Sequence, residues 1–522
     1  MRIEVMKTYK ELHTWTGIIS GLFLYVCFLA GAFTMFAAPL NEWALKNTGT
    51  LPEIPLEKYD HLIQEVLAEH SQARKRLTIH LPDAMPQSAP ATWVVENPDT
   101  HATTEWHASF DEYGELVTST FTVSAVGTFI DQLHRTAGIP GSLGHEDFGT
   151  VFMGAIALLY FIAMVSGLII FLPSWIKDLF SLRRGKNRKR FWLDAHNILG
   201  ITALPFHLVI AFTTVVFAFH DVLYDSMGAW IYKDNPMFTR AAPQAESREL
   251  HELATVTQVI ESIRVLEPEF QAAELMYMRM ESPSPGLRVG GLVDGQLARG
   301  AEYTYTLNDP YSAEVTMSYM LPSQSGPMAT TVISFFALHF GNFGGQFVRW
   351  LYFLLGVSGA LLFLTGNILW IETRRKRQKK DEVAVVQNRS AQVMAQLTVG
   401  VCTGTPIGML MTFLCVKWLP HQAYELEFWQ QLAYYVGFFI SLIIAFILRP
   451  FRAGQILLGA AAVLTILLLL SNVISGWGSG YDSLMLAFDL LAVMFLAVLA
   501  AVIYWMGKRA RLISKDSVWA CV

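Results

Sequence analysis

Charge is scarce. Only 16% of the 522 residues are charged, against 53% hydrophobic, where a soluble globular chain carries about 25% charge. The length would allow several domains, but this balance disfavours an ordinary soluble enzyme and makes membrane insertion the first reading. The 38 Lys and Arg against 43 Asp and Glu leave a net charge of −5, which argues against a nucleic-acid binder, since such chains normally show a basic face. Cysteine is scarce too: Cys27, Cys402, Cys415 and Cys521 form no Cys-x-x-Cys pair, so neither a thiolate metal site nor a disulfide framework is suggested.

What is abundant is long apolar sequence. Stretches able to cross roughly 30 Å of hydrocarbon, which takes about 20 helical residues, centre on Ile18–Ala38, Val151–Leu172, Ile198–Phe219, Leu351–Ile371, Val393–Val416, Leu432–Leu448, Ile456–Ile474 and Leu484–Met506. The expectation is a polytopic α-helical membrane protein of about eight spans. The first run is too long for a removable signal peptide and reads as a retained helix. Basic residues crowd the N-terminal flank (Arg2, Lys7, Lys10), Lys177–Arg190, Arg374–Lys380, Arg449/Arg452 and Lys508–Lys515. By the positive-inside rule these are cytoplasmic, with both termini inside.

The expected order is span one over 1–38, an external domain over 39–148, span two over 149–172, a basic loop over 173–192, span three over 193–220, a second external domain over 221–345, span four over 346–371, a basic linker over 372–392, a four-helix annex over 393–508 and a tail over 509–522. Both external segments read as small α+β domains. In the first, Glu57–His70 has helical periodicity, followed by strands at Leu77–Leu81, Thr92–Glu96 and Glu105–Phe110. In the second, the helix is Ala254–Leu266 and the strands Glu274–Met280, Leu287–Val293 and Glu302–Leu307.

Span, external domain, span thus occurs twice in one orientation. Span one opens His13-Thr14-Trp15-Thr16-Gly17-Ile18 and span three His196-Asn197-Ile198-Leu199-Gly200-Ile201; span two is preceded by Leu133-His134-Arg135 and span four by Leu338-His339-Phe340-Gly341. A pseudo-two-fold axis along the membrane normal would bring His13 towards His196 on the inner side and His134 towards His339 on the outer side. Ionisable residues in or beside membrane spans are costly and by default functional, and neutral imidazole is an axial ligand of haem iron. Two facing imidazoles make a bis-histidine b-haem site, with Gly17 and Gly200 clearing bulk beside the ring. No Cys-x-x-Cys-His exists, so any haem is non-covalent. On a straight helix His207, eleven residues after His196, would lie about 20° from the same face and roughly 16 Å along the axis. The outer pairing stays open among His134, His207 and His339. His145 and His220, with His61, His70, His80, His101, His107 and His251, read as solvated surface.

Several separated motifs together resemble the PepSY-associated transmembrane family: Tyr9-Lys10-Glu11-Leu12-His13-Thr14-Trp15-Thr16-Gly17, Phe191-Trp192-Leu193-Asp194-Ala195-His196-Asn197, Leu204-Pro205-Phe206-His207, and Leu338-His339-Phe340-Gly341 with Arg349-Trp350-Leu351-Tyr352. The resemblance covers about the first 375 residues. It implies a four-helix core of a bacterial inner-membrane protein, periplasmic PepSY-type domains, and two b haems on His13, His196, His207, His134 and His339. It further implies electron transfer to a ferric siderophore at the periplasmic side; the expected donor is a quinol or a cytoplasmic reductant. The last four spans depart from the family pattern and read as a structural or quinone-facing annex, in which Asp482 and Asp489 are the acidic residues to test. Arg135 and Arg349 are candidates for chelate contact, though an Arg at a membrane boundary is more often a snorkelling anchor. Two rival readings remain: PepSY-type domains that bind a peptidase or peptide while the spans anchor them, and a metal or chelate transporter.

Overall fold

The computed structural model describes residues 3–45, 51–82, 89–96, 103–120, 126–143, 146–179, 181–183, 187–220, 226, 229–230, 248–297, 303–376, 386–419, 426–479, 483–510 and 517–520. His101, His145, Asp482, Cys521 and parts of the basic loops, Arg184 and Lys186 among them, lie outside these residues.

The chain begins with α1 (Ile3–Thr34) and a short α2 (Ala37–Leu45), then α3 (Tyr59–Glu69), β1 (Arg76–His80), β2 (Ala91–Glu96), β3 (Thr103–Phe110) and β4 (Leu116–Thr120). It returns through α4 (Val126–Thr136) and a two-stranded ribbon, β5 (Ser142–Leu143) with β6 (Glu146–Asp147), into α5 (Phe148–Phe171). A short α6 (Trp175–Asp178) precedes α7 (Arg188–Thr202) and α8 (Leu204–Ala218). The second long segment carries α9 (Val256–Arg264), β7 (Phe270–Met278), β8 (Gly286–Val293), β9 (Thr304–Asn308), β10 (Val315–Met317) and α10 (Pro327–Phe340). The remaining helices are α11 (Gly345–Arg374), α12 (Arg389–Trp418), α13 (Leu426–Ile447), α14 (Pro450–Ser479) and α15 (Ser483–Ala510).

Seven helices are long and apolar enough to cross a membrane, and α7 with α8 form an eighth span only if the bent pair counts as one. The chain is therefore a multi-pass membrane protein. Span three, treated as a straight helix in placing His207 although it contains Pro205, is bent by 70° at the break between them. Pro205 causes it: the ring lacks an N–H and would collide with a carbonyl of the preceding turn, so it is tolerated only in the first turn of a new helix, where it sits in α8. The alignment of His196 and His207 on one helical face is overturned with it.

The two segments expected as separate domains share one antiparallel sheet, in the order β10-β9-β8-β7-β1-β2-β3-β4. Its middle seam is β1 against β7, with Thr78 opposite Met276. Helices α3 and α9 bury one face: Leu62, Val66, Leu67, Val259 and Ile263 pack in one apolar cluster with Leu77, Ile79, Leu275, Leu287 and Val289. The α9 start is fixed by a capping box, in which Thr255 and Gln258 exchange side-chain to backbone bonds. The strands fall within about two residues of the sequence reading at most ends, except that β7 starts earlier, at Phe270; β4 and β10, short edge strands with weak alternation, were not anticipated.

In the bundle α1 packs on α5 and α11, α7 on α11, and α8 on α5 and α10. Helices α4 and α10 pack on this bundle, α4 against α1 and α2. The annex turns on α12, which packs against α13 and α14 and also touches α1 and α11. Asp489 is buried and accepts from Asn472 Nδ2 at 2.6 Å, while Asn472 Oδ1 accepts from Trp43 Nε1 at 3.2 Å, tying the annex to α2.

Burial, reinforced by the neighbouring His107 imidazole, pulls His80 down to about 4. An unfolded His80 titrates near 6.5, so between those values the unfolded chain binds more protons and stability is lost as pH falls from 6.5 towards 4, on the order of 2–3 kcal/mol at the low end. Hydrogen exchange of the β1 and β2 amides should accelerate over that window, and His80→Gln should make the acceleration distinctly shallower.

Candidate functional site

Helix packing brings four of the five singled-out histidines together in two pairs. His13 of α1 faces His196 of α7 with ring centroids 6.1 Å apart and planes inclined by 68°. His134 of α4 faces His339 of α10 at 6.2 Å and 40°. His207 joins neither pair; it is 1% exposed, among Phe28, Phe206 and Tyr160.

Each paired imidazole is held through Nδ1. His13 Nδ1 lies 2.7 Å from Ala163 O on α5, His196 Nδ1 3.1 Å from Leu362 O on α11, and His134 Nδ1 2.9 Å from Cys27 O on α1. A carbonyl can only accept, so the proton sits on Nδ1 and the Nε2 lone pair is left open. His339 uses a side chain instead: its Nδ1 lies 2.8 Å from Thr213 Oγ1. That hydroxyl donates to Val209 O at 2.7 Å, so it accepts from the ring.

Glycine makes three of these approaches possible. Gly167, Gly366 and Gly31 each stand four residues beyond the accepting carbonyl, and a Cβ there would come within 2.8 Å of His13, 3.2 Å of His196 and 2.6 Å of His134. These are the site residues that sequence reasoning missed; the visible clue was a glycine within each neighbouring span, but only packing shows which ring it faces. Gly17 and Gly200, expected beside the ring, are less constrained: a Cβ at Gly17 meets nothing within 4 Å, and one at Gly200 meets Leu362 at 3.5 Å.

The entrance to α7 is clamped two residues before His196. Asp194, 1% exposed, accepts from Arg183 Nε and Nη2 at 2.9 and 2.7 Å and faces Arg190 Nε at 3.4 Å. Arg183 and Arg190 also reach Asp178 at 2.7 and 3.1 Å, and the Arg183 hydrogen bond holds the Asp178 carboxyl below its usual range. Arginine beside the membrane, read from sequence as a topology signal, here also fixes the helix that carries a histidine.

The His134–His339 pair opens on a cavity of about 330 Å³, walled by Phe28, Phe206, Tyr352, Arg135 and Arg349. Arg135 is occupied by Asp131 at 2.9 Å and Asp147 at 3.5 Å; Arg349 makes no ion pair among the described residues. The turn entering α11 keeps His339 at this wall: Gly341 has φ +62°, a left-handed conformation that glycine tolerates, and a Cβ there would strike the Tyr352 ring.

Metal–imidazole bonds of about 2.0–2.1 Å on either side of one metal, plus the ring radii, put two ligating imidazole centroids roughly 6 Å apart. Both pairs match that span, and both present Nε2 with Nδ1 anchored, the arrangement in which outer partners fix a ligating histidine's tautomer and orientation. The residues present therefore fit axial ligation of a haem iron.

The other histidines divide. His61, His220 and His251 are exposed as expected. His107 is fully buried, and His70 and His80 are partly so, which corrects their reading as solvated surface. Ser109, on the strand that carries His107, donates to the Pro52 carbonyl, and His70 packs on Trp93 and Trp106 of the helix-covered cluster.

A family model for the PepSY-associated TM region matches residues 10–373. The chain belongs to the PepSY-associated transmembrane family. It is also similar to an uncharacterised protein of Pseudomonas aeruginosa, 22% identical over 306 residues, which are 56% of this chain and 72% of that one. The PepSY-associated region spans all four paired histidines and ends as α11 does, which leaves α12–α15 beyond it.

Thr213→Val should strand the buried Nδ1–H of His339 at a cost of about 1–3 kcal/mol. The thermal midpoint of the purified protein should fall, and Thr213→Ser, which keeps the acceptor, should restore most of it.

Proposed function

We propose that this PepSY-associated chain is a di-haem b electron-transfer protein of the bacterial inner membrane, with one haem between His13 and His196 and a second between His134 and His339. Electrons enter on the cytoplasmic side, from quinol or a soluble reductant, and leave on the periplasmic side to a ferric siderophore or another iron chelate. The observation that carries this reading is the pair of Nδ1-anchored imidazole couples at 6.1 and 6.2 Å. Alternation of basic connections with the sheet-forming segments supports the orientation and cytoplasmic termini.

When bound, the haem supplies the one-electron chemistry. The chain's own part is to hold four neutral imidazoles in fixed tautomers, to separate the two pairs with the aromatic side chains around Phe28, and to offer a cation at the outer cavity. Of the two candidates, Arg349 suits that last task, because Arg135 is held by two carboxylates. It would meet a carboxylate of the haem or of the chelate. One electron converts the chelated Fe(III) to Fe(II), which hard oxygen ligands hold far less tightly, so iron is released without a protein acid or base.

A transporter is the second reading, favoured by the broken third span, since interrupted helices build many transport sites. Uptake of chelate into vesicles without an electron donor would select it.

A pyridine haemochrome assay on detergent-purified protein should return close to two b haems per chain. His13→Ala or His196→Ala should remove about one, His134→Ala or His339→Ala the other. Protein expressed with ample haem that carries none overturns the proposal.

A further inference from the structure

Two neighbouring buried polar side chains stand outside both pairs. Neither ring nitrogen of His207 nor the hydroxyl of Tyr160 meets a hydrogen-bond partner among the described residues, although the two side chains are only 1% and 5% exposed. The rings meet edge to face, with centroids 6.1 Å apart and an interplanar angle of 89°. Buried polar atoms in native proteins are satisfied, and where side chains do not serve, ordered water does.

The surroundings limit what fits. Phe28 and Phe206 each lie 5.7 Å from the His207 ring by centroid. On the remaining side the backbone at Gly359 is so close that a Cβ would fall 2.3 Å from Phe28 and 3.2 Å from His207. Rings therefore stand on three sides of this imidazole, and no second histidine faces it among the described residues, as one does in each pair. Three unpartnered polar atoms on two neighbouring rings in an apolar surround suit a ligand of one or two heavy atoms.

The place of this surround follows from the helices that build it. On α5, Tyr160 lies one turn towards the sheet side from Ala163, which anchors His13. On the bent third span, His207 falls between His196 and Thr213, which anchors His339. On α11, Gly359 falls between Leu362, which anchors His196, and Gly356, which lines the outer cavity. The surround is a layer between the two imidazole pairs.

We propose that Tyr160 and His207 hold buried water between the two pairs, and that His207 is a water ligand rather than an axial ligand of iron. Three polar atoms can satisfy one or two waters, each of which needs two to four partners. The water site stands without haem; its setting between two electron carriers rests on the function proposed above. There it supplies a dipole that can reorient in a low-dielectric interior when either neighbour changes charge.

The test is a density map of the wild-type protein that resolves ordered solvent, read together with haem content and thermal midpoints of Tyr160→Phe, His207→Leu and the double variant. The expected map shows water within about 3.2 Å of both Tyr160 Oη and a His207 nitrogen. The expected His207→Leu protein keeps the wild-type haem count, and the double variant melts no lower than the worse single one. A dry gap, strictly additive midpoints, or loss of one haem in His207→Leu each overturns the inference. Wild-type protein without haem would overturn the function alone, because the map and the midpoints still decide the water site.

Discussion

An imidazole carried into a membrane bundle must place its N–H somewhere, and the rest of the site follows from where these four place theirs. Three donate to a carbonyl on the next helix, and a glycine one turn further along that helix gives the ring room to lie down. A helical carbonyl already accepts its own i+4 amide, so reaching its second lone pair demands close helix approach. The hydrogen bond thereby fixes the tautomer, the ring direction and the helix spacing together. His339 reaches the same result through Thr213, a hydroxyl that a single methyl can replace, which makes this anchor the most readily tested of the four.

The sheet bears on the same geometry from one side of the bundle. Its strands arise from the two long segments, and each segment also carries a histidine-bearing helix, α4 or α10, on its way back to the membrane. The β1–β7 seam joins the segments through paired backbone groups and a shared apolar cluster. A displacement of one half relative to the other would move His134 against His339, so the sheet restrains that pair through covalent connection. At the opposite end the Arg183, Arg190, Asp178 and Asp194 network restrains α7 and with it His196.

Beyond the family region, the annex adds no histidine to its apolar runs, yet it is not detached. Ala30 of α1 and Leu133 of α4 share an apolar cluster with Phe413 of α12 and Tyr434 of α13, and the Tyr435 hydroxyl donates to Gly138 O at 3.1 Å, just past α4. Asp489, the buried acid of this region, is engaged by Asn472 and through it by Trp43. These contacts brace the helix that presents His134.

Apolar run length, flanking charge and the spacing of histidines were enough to expect a multi-pass protein, to locate most strands and to single out the four histidines that meet, because hydropathy and periodicity are properties of local sequence. The repeat pointed to His13 beside His196 across 183 residues but left the other pairing open among His134, His207 and His339, and only helix packing sets His134 against His339 and leaves His207 out. The sequence could not show that span three bends at Ala203, where a prolyl ring is compatible with either a kink or a new helix until neighbours fill the space. Nor could it reveal that Gly31, Gly167 and Gly366 lie under rings, or that β1 and β7 fuse two segments into one sheet. Local chemistry determined the elements and their candidate ligands; pairing, tautomer and the buried layer around His207 were decided by tertiary contacts between residues far apart in the chain.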